Sequence, residues 1–252
     1  MKQDTSTEVA GSEKATASVK DVKVQKAEKN LYEPYVTPRL AYEALRWFAR
    51  LVFFITMRVH LRGRYNVPRR GPYIVAGNHL SWMDIPLVPA YMPGKVVYMA
   101  KEELFHGNVG RISRFMGAFP VKRGEGDRHA IRTADEQLKK GNVLVIFPEG
   151  TRSKTQLMAK GHAGLGMIAL RSGVPVIPVA IWGSEQGLKK FGAHVTISYG
   201  KPMILKPKGS KITREDIEAA TDEVMRQIAS MLPARYRGVY GDDVQKKIEV
   251  EE

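Results

Sequence analysis

Tyr73-Ile74-Val75-Ala76-Gly77-Asn78-His79-Leu80-Ser81-Trp82-Met83-Asp84 is the stretch on which the reading of the fold turns. A short apolar, β-branched run bounded by glycine and asparagine reads as a buried strand, since it is too short for a helix of ordinary length. It empties into a histidine and an aspartate with four residues between them. Further along, Val143-Leu144-Val145-Ile146-Phe147 is a second such run, and it empties into Pro148-Glu149-Gly150-Thr151-Arg152-Ser153. Two predicted strands therefore each end in a loop rich in chemistry-bearing side chains.

The same texture continues outward from both. Candidate strands fall at 73–77, 96–100, 118–122, 143–147, 174–181 and 194–199. Helical periodicity lies between them, from Asp127 to Lys140 and from Gly164 to Ser172, stopping at Gly141 and Gly173. Such interleaving predicts an α/β domain whose mostly parallel sheet is flanked by helices. Val195, Ile197 and Tyr199 alternate with polar residues, which predicts a strand nearer the sheet edge. Thr213 and Asp216 suit a capping box, and Ile217, Ala220, Val224 and Ile228 give the following helix one apolar stripe. No repeat of fixed period is visible.

With 252 residues, 43% hydrophobic and 26% charged, the chain can bury a full core as one domain. It has no cysteine, which excludes disulfides, thiolate metal sites and cysteine nucleophiles. The net charge of +14 points to an anionic partner. Residues 1–30 carry six lysines against five acids, so 14 − 1 leaves +13 on the rest of the chain.

Four segments are expected. Residues 1–30 lack aromatics and a sustained apolar period and read as a disordered lead. Residues 31–61 hold an amphipathic helical segment with Ala41, Leu45, Trp47, Phe48, Leu51, Val52, Phe53, Phe54 and Ile55. Its uninterrupted apolar stretch, Leu51 to Met57, falls far short of the roughly 20 residues that cross a bilayer. Arg39, Arg46 and Arg50 lie within about 40° of one another at 100° per residue, opposite many large apolar groups. That pattern suits a helix lying in a membrane interface, although a helix packed on its own domain would show it too. Residues 62–235 are expected to form the folded α/β domain, and 236–252 a loose charged tail.

His79 and Asp84 cannot pair within one helix, because five residues turn through 500° and leave them about 140° apart. A bend between them, with Ser81 as N-cap, lets an aspartate in the first helical turn fold back on the ring. Asp84 then holds one ring nitrogen and leaves the other as a base. Ser81-x-x-Asp84 is also a capping box, so a purely structural role is the competing reading. In the second loop, Gly150 lets the backbone approach a ligand, Thr151 and Ser153 offer hydroxyls, and Arg152 presents a fork suited to phosphate. The competing reading there is an ordinary polar turn.

Four ordered blocks raise the specificity: Asn78-His79-x4-Asp84; Gly117-Ala118-Phe119-Pro120-Val121-Lys122-Arg123; Phe147-Pro148-Glu149-Gly150-Thr151-Arg152-Ser153; and Val174-Pro175-Val176-Ile177-Pro178-Val179. This order resembles the glycerolipid acyltransferase family, in particular its 1-acyl-glycerol-3-phosphate acyltransferases, over about residues 60–205. The resemblance implies that His79 is the general base and Asp84 its orienting acid. It implies that Arg123, Glu149, Gly150, Thr151 and Arg152 form the glycerol-phosphate pocket, with Lys101 near the phosphate and Val174–Val179 on the acyl or sheet-side wall. No bound cofactor and no metal are implied. Acyl-CoA or acyl carrier protein is the co-substrate, lysophosphatidic acid the acceptor, and the cytoplasmic face of a membrane the peripheral location. The segment Lys154 to Gly164 lacks the phenylalanine that many relatives place before Lys-x-Gly. A lyso-ornithine lipid acceptor is the alternative within the same chemistry. A basic protein that binds nucleic acid or anionic membranes is the non-enzyme alternative. Because the aromatics cluster at 47–54 rather than among the basic residues of one face, no nucleic-acid partner is expected.

Overall fold

The structure is a computed structural model and describes residues 37–121 and 127–242. Its strands are β1 (Met57–Arg62), β2 (Tyr73–Gly77), β3 (Val96–Lys101), β4 (Ala118–Val121), β5 (Val143–Ile146), β6 (Val176–Trp182) and β7 (Ala193–Tyr199). They form one sheet in the order β1-β7-β6-β2-β5-β3-β4. The run from β6 to β4 is parallel throughout, β7 is antiparallel to β6, and β1 is parallel to β7. The helices are α1 (Arg39–Thr56), α2 (Asp84–Tyr91), α3 (Gly107–Phe115), α4 (Arg128–Lys139), α5 (Gly164–Ser172) and α6 (Arg214–Met231). The expected single α/β domain with a mostly parallel sheet is what the chain forms.

The apolar runs are strands because both faces of this sheet are covered. On one face Ile74, Ala76, Leu144, Ile146 and Ala180 pack with Ala134 and Leu138 of α4, Leu165 and Ile168 of α5, and Val224 and Ile228 of α6. On the other, Tyr73, Val75, Val145, Ile177 and Ile181 pack with Phe53 of α1 and Leu87 and Val88 of α2. Local chemistry sets the helix ends. Asp127 accepts from the backbone N–H groups of His129 and Ala130, Gly173 ends α5 in the left-handed region, and Thr213 with Asp216 closes a full capping box. Among the described residues no helix is long and apolar enough to cross a membrane.

Three expectations are corrected. Residues 57–62 are a strand, so the N-terminal helix ends at Thr56. Met57, Val59 and Leu61 alternate with Arg58, His60 and Arg62, a period of two that an adjacent helical pattern masks. That extra strand lies outside β7, which sits second from the edge, near it as its alternation predicts, with Met57 opposite Ala193. Arg46 and Arg50 of α1 point inward, while Arg39 is exposed: Arg46 has a side chain 13% exposed and meets Glu43 at 3.3 Å, and Arg50 Nε donates to the carbonyl of Ala90. Ala90 lies in the last turn of α2, where unpaired carbonyls and the helix dipole attract a cation. The outward face carries Leu40, Trp47, Phe48, Leu51, Phe54 and Ile55, all more than half exposed. Finally, Tyr236 and Tyr240 are buried in the core, so the packed chain runs past residue 235. Residues 1–36 and 243–252 lie outside the described residues, and with them the disordered lead and the rest of the charged tail.

Candidate active site

The site grows from the carboxyl ends of β2 and β5, neighbours at the centre of the parallel run. Directly after β2, Asn78 is fully buried; its Nδ2 donates to the carbonyl of Ile181 at 2.8 Å, and the Ile181 N–H donates to its Oδ1 at 2.7 Å. This anchors the loop to β6 before the chain turns. Sequence reasoning quoted Asn78 in the motif but gave it no role. An amide at a strand end, able to donate and accept at once, is the signal that marks it.

His79 Nδ1 lies 2.8 Å from Asp84 Oδ2. The backbone N–H groups of Leu80 and Ser81 donate to that same oxygen, each at 2.8 Å. An ionised carboxylate only accepts, so Nδ1 carries the hydrogen and Nε2 keeps its lone pair. The orienting and capping readings of Asp84 are therefore both realised by one atom. Ser81 does not cap α2: its hydroxyl accepts from Met83 N–H at 3.2 Å and closes the turn ahead of Asp84, the helix's first residue. The His79 ring stacks on Phe147, with centroids 4.2 Å apart and planes 18° from parallel, and 11% of the side chain reaches the surface. The ring is thus fixed in plane by an aromatic and in rotation by a carboxylate.

The loop after β5 divides its labour. Glu149 is 3% exposed, and its two oxygens accept from the backbone N–H groups of His79 and Ala159, each at 3.0 Å. Burial pushes its carboxyl up to about 7, outweighing the two N–H donors that favour the charge, with the Asp84 charge adding to the rise. Expected as a wall of the phosphate pocket, Glu149 instead braces the histidine loop against the loop that follows. A carboxylate turned towards a phosphate would repel it, so this placement is the physically favourable one. The brace is reinforced from Ser153, whose N–H donates to the His79 carbonyl at 2.9 Å.

Gly150 has φ +68°, and a Cβ there would come within 2.8 Å of the His162 ring. His162 is exposed and lies over this loop, its backbone N–H donating to the Pro148 carbonyl at 2.8 Å. Thr151 and Arg152 are exposed, and the Arg152 guanidinium lies 4.0 Å from the centroid of the Trp82 ring. A cation held over an aromatic keeps its edge donors free for an anion. Trp82 belongs to the histidine loop, so this stack joins the two loops across the front of the site.

Lys101 ends β3 and pairs with Glu103 at 2.6 Å. Arg123 lies outside the described residues. Pro178 and Val179 belong to β6, a buried strand beside β2. His194 stacks on His60 at the sheet edge, with centroids 5.3 Å apart. Among the described residues no three His, Asp or Glu side chains converge as metal ligands.

An imidazole paired with a carboxylate, on a loop whose Trp82 carries the exposed Arg152 guanidinium, is an arrangement able to serve general-base chemistry on a hydroxyl. The family model described as "Acyltransferase" matches residues 58–182, from β1 to the end of β6. The chain belongs to the acyltransferase family. Every residue of the site described above lies in that acyltransferase domain. A lyso-ornithine lipid O-acyltransferase of Pseudomonas aeruginosa is 36% identical over 148 residues, which cover 58% of this chain and 55% of that protein. The chain thus spans about half the length of this relative. A 1-acyl-sn-glycerol-3-phosphate acyltransferase of Bacillus subtilis is 28% identical over 176 residues, covering 69% and 87%. The crystal structure of the 1-acyl-sn-glycerophosphate (LPA) acyltransferase PlsC from Thermotoga maritima superposes with a TM-score of 0.60 at 28% identity, covering 82% of this chain and 80% of that one.

Proposed function

We propose that this acyltransferase moves a fatty acyl group from an acyl thioester, acyl-CoA or acyl carrier protein, to the free hydroxyl of 1-acyl-glycerol-3-phosphate, giving phosphatidic acid for phospholipid synthesis. The observation that carries this reading is the pairing of His79 with Asp84 at 2.8 Å beside an Arg152 held on Trp82. His79 Nε2 takes the hydroxyl proton as the oxygen attacks the thioester carbon. The tetrahedral intermediate collapses, the C–S bond breaks, and the imidazolium returns the proton to the departing thiolate. Asp84 stabilises the imidazolium between these steps. Arg152, Thr151 and the Gly150 backbone bind the phosphate, and Arg123 and Lys101 are proposed to complete the anion site, so that the acceptor hydroxyl meets the base already oriented.

The outward stripe of α1 is proposed to rest on the cytoplasmic face of a membrane. Trp47, Phe48, Leu51, Phe54 and Ile55 supply the apolar area while the helix's inner side is anchored on the domain. A lyso-ornithine acceptor is favoured by one observation, the 36% identity to an enzyme of that name. An ornithine headgroup offers Arg152 a carboxylate in place of a phosphate. Purified protein assayed with each thioester donor against both lysolipids decides between them: turnover of lysophosphatidate at least tenfold faster is expected, and the reverse preference would replace the acceptor. His79→Ala should abolish turnover on either while leaving lysolipid binding nearly intact. Loss of binding together with unchanged turnover of the remaining complex would remove His79 from the base role.

A further inference from the structure

We propose that the loop between β6 and β7, with Lys189, Lys190 and Phe191 at its tip, is a second lipid-contact element. Together with the last turn of α1, it seats the mouth of the catalytic site on an anionic bilayer surface.

Topology places the loop. Because β7 is antiparallel to β6 and parallel to β1, the start of β1, the start of β7 and the end of β6 share one sheet edge. That edge is also where β2 delivers His79. Contacts then join the loop to both neighbours. The Gly192 N–H donates to the Thr56 carbonyl at 2.9 Å, tying the tip to the end of α1. At its root, Gly187 lies so close to Met83 that a Cβ would stand 3.2 Å from that side chain. Met83 lies between His79 and Asp84 in the catalytic turn. One loop therefore touches the membrane helix on one side and the catalytic turn on the other.

The tip's chemistry fits an anionic lipid surface. Phe191 is 78% exposed, and Phe54 at 82% and Ile55 at 55% belong to the helix turn to which the neighbouring Gly192 is tied through Thr56. Lys189 and Lys190 are exposed and make no ion pair among the described residues. From Gly183 to Gly192 the one acid is Glu185, which accepts from the Tyr236 hydroxyl at 2.7 Å. The one acid of α1, Glu43, sits at the far end of that helix beside Arg46. An aromatic ring preceded by two exposed lysines matches the boundary between acyl chains and anionic headgroups, where each lysine contributes about 1 kcal/mol. The proposal rests on the reading that the acceptor is an anionic lipid, which must enter from that surface.

The test uses the full chain with sedimentable vesicles of phosphatidylcholine, either pure or with 30 mol% phosphatidylglycerol (about that fraction suffices to charge the surface). The double variant Lys189→Gln, Lys190→Gln should lower partitioning onto the anionic vesicles about thirtyfold, as two such lysines imply, with less effect on the neutral ones. Phe191→Ser should lower partitioning onto both. Turnover of lysophosphatidate in neutral detergent micelles should stay within about twofold of the parent, with unchanged thermal unfolding. Parent-like binding by these variants, with release caused by Phe54→Ser alone, would overturn the proposal and leave α1 as the contact. Parent-like vesicle binding with lost micellar turnover would also overturn it, by assigning the loop to the site itself. Binding is read without turnover, so an incorrect acceptor assignment would show in the assay and leave the vesicle result standing.

Discussion

Two helices of equal length, α1 and α6, each 18 residues, are built on the same 3.6-residue period and make opposite use of it. In α6, Ile217, Ala220, Val224 and Ile228 turn inward and are at most 8% exposed. In α1, the largest apolar side chains span an arc of about 120° that faces away from the protein, while Tyr42 and Phe53 on the other side are buried. Composition separates the two. The α6 stripe is small and aliphatic and lets the helix sit close to α5: the Gly166 N–H donates to Thr221 Oγ1 at 3.1 Å. The α1 stripe is aromatic and bulky, the kind of surface that favours a lipid boundary over close helix packing. An amphipathic period thus shows that a face is apolar, while side-chain size and the placement of charge indicate what covers it.

The contrast can be broken most severely in α6. Ile228→Ala should cost about 2 to 5 kcal/mol of stability through the cavity it leaves, read from chemical unfolding. A loss below about 1 kcal/mol would mean that this face is not core.

Burial of a single charge sharpens the same lesson at Glu149. Its folded pKa of about 7 lies above the 4.5 of an unperturbed glutamate, so the native state binds the extra proton. Its contribution to stability is fully present below pH 4.5 and is lost as pH rises through 7. The span is on the order of 3 kcal/mol. Glu149→Gln should flatten that part of the stability profile and, by leaving one backbone N–H without an acceptor, slow turnover. An unchanged profile would show that the carboxyl is not buried in solution.

Smaller effects belong to α1. Arg50→Ala should cost about 1 to 2 kcal/mol by leaving the Ala90 carbonyl and the end of α2 without their cation, seen as a lower denaturation midpoint. Phe54→Ser should change stability by less than about 0.5 kcal/mol yet weaken vesicle partitioning about tenfold. A large stability loss there would place the stripe against protein instead of lipid.

Much of this was legible beforehand, for identifiable reasons. Parallel strands covered on both faces are written as unbroken apolar runs, so β2, β5 and β6 stand out without structural help. Helix geometry shows that His79 and Asp84 can meet only across a bend, which the Ser81 turn supplies, but it leaves the capping reading of Asp84 open, and Asp84 Oδ2 serves both. What escaped depended on contacts between distant segments. β1 was hidden because a two-residue period began where a helical one stopped. The inward arginines of α1 answer carbonyls at the end of α2, which no local pattern reveals. Glu149 was grouped with the ligand-facing residues of its loop, and only the positions of the His79 and Ala159 N–H groups show that it faces inward. The stacking of Arg152 on Trp82 likewise joins residues 70 positions apart.

The Asn78 side chain has a consequence for the whole molecule. A carboxamide has the same donor and acceptor as a peptide unit, and here it continues the ladder between β2 and β6 by one rung after the main chain has already left the sheet. The backbone is thereby released to present an imidazole at the rim without giving up the rigidity of the pleat beneath it. Aspartate at this position would keep the shape but lose the donor, and leucine would lose both, so the catalytic turn would begin from a frayed end instead of a tied one.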